Sequence, residues 1–143
     1  MDTLSWVTLS LATATFLLAG AAFWSIWQNY TFKREERCIQ AMYRIRAWAE
    51  QSSQLLTVPS PSGQDEALAI LRKNIQIVRA SSLGALADGD ALGGEVNNKV
   101  QKAVHDFDVI VETAKTHNLT DFEDLLRNLL LDYWEVIKST SKL

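Results

Sequence analysis

Apolar residues follow one another in two different ways along this chain, and the change between them divides it. From residue 4 to 27 the sequence LSWVTLSLATATFLLAGAAFWSIW is uncharged and mostly apolar on every side of a would-be helix. From residue 38 onward apolar residues recur at three- and four-residue spacing, the mark of helices with one buried face. Cys38, Met42, Ile45, Ala49, Ser52 and Leu56 form the first such stripe, widened by Trp48 and Leu55. Leu68, Leu71, Ile75 and Val78, with Ala67 and Ile70 beside them, form the second. Val96, Val100, Val104, Phe107, Val111 and Ala114 form the third. The fourth is Phe122, Leu126, Leu129, Tyr133, Val136 and Ile137, with Leu125, Leu130 and Trp134 alongside.

Breakers then set the ends. No glycine or proline falls between Ala21 and Val58, so the apolar segment is expected to run on, bent near residues 28–31, into a helix over 31–57. Pro59 and Pro61 mark a loop, after which a helix over 63–82 begins with Asp65 and Glu66 in its first turn. Residues 83–94, LGALADGDALGG, hold four of the six glycines and are expected to form the second loop. A third helix is expected over 95–117. The fourth, over 121–140, opens on Thr120, whose spacing to Glu123 fits a capping box. The expected fold is all-α: an N-terminal transmembrane helix continuing into an antiparallel four-helix bundle over residues 31–143.

The transmembrane reading of residues 1–30 rests on length and flanks. A helix over residues 4–27 spans about 36 Å, slightly more than a hydrocarbon core of ~30 Å. Trp6 stands near its start, and Trp24, Trp27 and Tyr30 near its end, where amphipathic rings favour the headgroup region. A cleaved signal peptide would carry basic residues before a shorter apolar run; here Asp2 precedes a longer one. A buried helix of a soluble protein is the other alternative. Ser5, Thr8, Ala12, Thr15, Ala19 and Ala22 recur at 3-4-3-4-3 spacing, a seam of small side chains suited to close helix contact in lipid.

Charge changes the picture by giving the span a direction. There is no charged residue between Asp2 and Lys33, although the chain holds fourteen Lys and Arg. Lys33, Arg34 and Arg37, with Arg44 and Arg46 behind them, face only Glu35 and Glu36. Basic residues stay on the cytoplasmic side, so the N-terminus is expected outside and the remainder inside, at the cell membrane. The sequons at Asn29 and Asn118 then match by chance. Beyond Arg46 nine basic residues stand against fourteen acidic ones, which disfavours nucleic acid as a partner. The one cysteine, Cys38, cannot form an internal disulfide.

Candidate chemistry is sparse. Asp88-Gly89-Asp90-Ala91-Leu92-Gly93 opens like a calcium loop, but Leu92 and Lys99 stand where the fifth and twelfth positions need oxygen ligands. His105, Asp108 and Glu112 share one face of the third helix and are the metal candidates; no second histidine joins them, and His117 lies at the helix end. Arg34 and Arg37 near Cys38 could make its thiol reactive, while its place on the apolar stripe points to a structural role. Trp48, Tyr133 and Trp134 could line a pocket but sit at core spacing. No phosphate loop, nucleophile motif or cofactor motif is present. The functional expectation is a membrane-anchored helical interaction or assembly module, with the lipid bilayer and a protein partner or a second copy as its contacts. The alternatives are a metal-binding sensor or enzyme using the His105 face, and a homo-oligomer assembled through the span.

Overall fold

The computed structural model describes residues 3–57, 64–115 and 119–141. Four helices make up the fold, and no strand occurs among the described residues: α1 Thr3–Leu56, α2 Gln64–Leu92, α3 Gly94–Lys115 and α4 Leu119–Thr140. The proline loop, His117 and the Asn118 sequon lie outside the described residues, as does the side chain of Thr120 on which the capping box depends. The chain divides into two compact units, Met1–Arg37 and Cys38–Leu143.

α1 is one helix of 54 residues, with no interruption at residues 28–31. The polar step there includes Thr31, whose hydroxyl turns back onto the carbonyls of Trp27 and Gln28 at 3.1 and 2.9 Å. A threonine satisfied in this way can sit inside a helix without opening it. At the other end, Thr57 donates from its amide and its hydroxyl to the Ser53 carbonyl, at 3.0 and 2.6 Å. Asn74 of α2 donates its side-chain amide to the Leu55 carbonyl at 2.8 Å, filling one of the acceptors that a helix end leaves open.

In the second unit one core draws on all four helices. Ile45, Trp48, Ala49 and Leu56 come from α1, Val78 and Ala85 from α2, Val100, Ala103, Phe107 and Ile110 from α3, and Leu129, Tyr133 and Val136 from α4. These are the positions that three- and four-residue spacing places on one face of each helix. Two expected members fall outside. Ile70 is exposed, and Trp134 is 61% exposed because it stands one residue past Tyr133, about 100° around α4. Cys38 and Met42, at the start of the α1 stripe, are half-buried.

The expected loop over 83–94 is the main difference. α2 continues through Gly84 and Gly89 to Leu92, and the connection to α3 is reduced to Gly93. Among the described glycines, Gly93 and Gly94 alone have positive φ, 66° and 61°, the region where glycine is without steric penalty. The Gly93 amide still bonds the Gly89 carbonyl at 2.8 Å, closing the helix. Gly89 faces α3 closely: a Cβ there would lie 3.1 Å from Asn97 Oδ1 and 3.5 Å from Val100 Cβ. Gly84 faces open space. Asp88 is therefore a helical residue, and the resemblance to a calcium loop has no loop behind it.

Polar contacts tie the helices at matching heights. The Arg44 guanidinium forks onto both Asp88 carboxylate oxygens at 2.8 and 2.6 Å, joining α1 to α2. Lys99 bridges Glu95 at 2.7 Å and Glu135 at 3.5 Å, and Lys102 bridges Asp106 and Asp132, joining α3 to α4. The Trp48 and Tyr133 rings join α1 to α4.

Candidate membrane span and polar clusters

α1 is the one helix among the described residues long and apolar enough to cross a bilayer, with an 18-residue window of mean hydropathy 1.7 that is nowhere buried. Phe16, Leu18 and Phe23 are each more than 70% exposed. Such side chains would be held in a core if this helix served a soluble fold; here water-excluding surroundings would have to come from elsewhere.

Hydroxyls within this segment are matched to its own backbone. Ser10 donates to the Val7 carbonyl at 2.9 Å, Thr13 to Leu9 at 2.7 Å and Thr15 to Leu11 at 2.7 Å. Ser5 and Thr8 make polar contacts as well. In hydrocarbon an unmatched hydroxyl costs several kcal/mol, so this pattern lets the segment carry Ser and Thr without that penalty. The seam of Ser5, Thr8, Ala12, Thr15, Ala19 and Ala22 lies exposed along the helix. Trp6, Trp24, Trp27 and Tyr30 are also exposed, and the Trp24 and Trp27 rings meet edge to face at 5.6 Å and 72°. Lys33, Arg34 and Arg37 follow, all exposed.

In the second unit His105, Asp108 and Glu112 are exposed on α3, and Glu112 is taken by Lys115 at 2.6 Å. Among the described residues no group of three or more His, Cys, Asp or Glu side chains stands close enough to hold a metal ion. Trp48 and Tyr133 are core residues. A shallow cleft of about 320 Å³ opens between Ile39, Met42, Tyr43 and Arg46 of α1 and Thr140 and Ser141 at the end of α4.

Sequence reasoning missed a polar cluster, Lys102, Asp106 and Asp132. Lys102 bonds Asp106 Oδ2 at 3.1 Å and also bonds Asp132 Oδ1. Asp132 Oδ2 is buried and no donor reaches it. Burial raises the Asp132 carboxyl above the usual carboxylate range, and the neighbouring Asp106 raises it further against the pull of Lys102. Asp106 moves the other way, lowered chiefly by its hydrogen bond with Asp132 and then by Lys102. Of the two carboxyls Asp132 is therefore the more readily protonated. The Lys102–Asp106 spacing was visible as an i,i+4 pair; the approach of Asp132 from α4 depends on helix register and left no signal in the sequence.

The burial of Tyr133 similarly pushes its phenol above the usual tyrosine range, an effect that the neighbouring Ser52 offsets only in part. No atom stands in hydrogen-bond geometry to its oxygen. The cleft at Thr140 is lined by neither Tyr133 nor the Lys102, Asp106 and Asp132 cluster. No family model, no curated protein and no solved structure matches this chain.

Proposed function

We propose that this chain is a single-pass membrane protein that tethers a helical interaction module to the inner face of the cell membrane. In this reading α1 crosses the bilayer with its N-terminus outside, Lys33, Arg34 and Arg37 mark the cytoplasmic boundary, and Cys38–Leu143 folds as an antiparallel four-helix bundle. One contrast carries it. The first unit exposes its apolar segment along its whole length, whereas the second gathers a buried core from all four helices. The bundle is supported by pairs whose numbers run in opposite senses: Leu55 with Asn74 and Arg44 with Asp88, then Lys99 with Glu135 and Lys102 with Asp132.

Topology can be read from glycosylation during insertion into microsomes, using the native Asn118 sequon and a second one appended before Met1. Modification of the appended site alone is the expected result. Modification at Asn118 reverses the orientation, and a chain released by alkaline carbonate is not a spanning protein. A separate measurement addresses the bundle: a Cys38–Leu143 fragment should be soluble, helical and cooperative on heating. An aggregating or unfolded fragment would mean that its apolar faces belong to a partner.

A further inference from the structure

We draw no further inference here: the strongest candidate, the shallow cleft between Ile39, Met42, Tyr43 and Arg46 of α1 and Thr140 and Ser141 at the end of α4, has its arginine already paired with Glu50, and nothing in the structure shows what covers it.

Discussion

The indole of Trp48 on α1 meets the phenol ring of Tyr133 on α4 edge to face, with centroids 5.2 Å apart and planes at 81°. The geometry sets the hydrogen-rich edge of one ring against the electron-rich face of the other. Trp48 Nε1 and the Tyr133 hydroxyl are both buried without a hydrogen-bond partner, so the pair is held by packing. Tyr133→Phe should therefore leave stability unchanged or raise it by up to about 1 kcal/mol, since it removes a polar atom that has no partner. Tyr133→Ala should cost about 3–5 kcal/mol through the cavity it opens. Urea unfolding followed by circular dichroism distinguishes the two, and a clear loss in Tyr133→Phe would reveal a partner for the phenol.

Glycines of identical chemistry should respond in opposite senses to the same substitution. Gly84 is helical and faces open space, so Gly84→Ala should raise stability by about 0.5–1 kcal/mol through helix propensity. Gly93 stands at φ 66°, where a Cβ meets the backbone, and Gly93→Ala should lower it by about 1–2 kcal/mol. Thermal unfolding midpoints of the two variants should move apart; movement in one direction would contradict the hairpin geometry.

Acid should act in two stages on the α3–α4 contact. The Asp132 carboxyl titrates above its unfolded value, so its ionisation opposes folding at neutral pH and that penalty is relieved as pH falls toward the unfolded value. Asp106 titrates below its unfolded value, so its contribution is present above that value and is lost on further acidification. Stability should rise modestly from pH 7 toward about pH 4 and fall below it. Asp132→Asn keeps the shape of the protonated form and should abolish the rise. Denaturant midpoints across this range, compared between wild type and variant, check the sign.

Reversing the flank should reverse the chain, if the basic flank fixes the orientation. Replacing Lys33, Arg34 and Arg37 together by glutamate removes the basic flank and should send a fraction of molecules in with Asn118 on the outer side. Glycosylation at Asn118 reports that fraction, and a triple variant with unaltered topology would remove the flank from the explanation.

The helices were legible wherever burial and periodicity agreed. α4 is legible because Leu129, Tyr133 and Val136 repeat on one face, and the length of α1 because no glycine or proline falls between Ala21 and its end at Leu56. The segment over 83–94 misleads for a definable reason: its glycine count suggests turns, and Gly84 and Gly89 are helical. Both are carried inside α2, the second where α3 approaches closely, and that proximity is a property of the packed fold. The contacts that give the second unit its polar character were illegible for the same reason. Arg44 and Asp88 are 44 residues apart, and Lys102 and Asp132 are 30 apart; only helix register brings them together.

The serines and threonines of the apolar segment have a consequence for how it can associate. Ser10, Thr13 and Thr15 spend their protons on carbonyls of the preceding turn. A neighbouring helix would find contour along this surface, and little to exchange hydrogen bonds with. Recognition in the bilayer would then be steric, graded by how closely two backbones can approach. One methyl group added at Ala12 or Ala19 should disturb it more than the loss of a hydroxyl at Thr15.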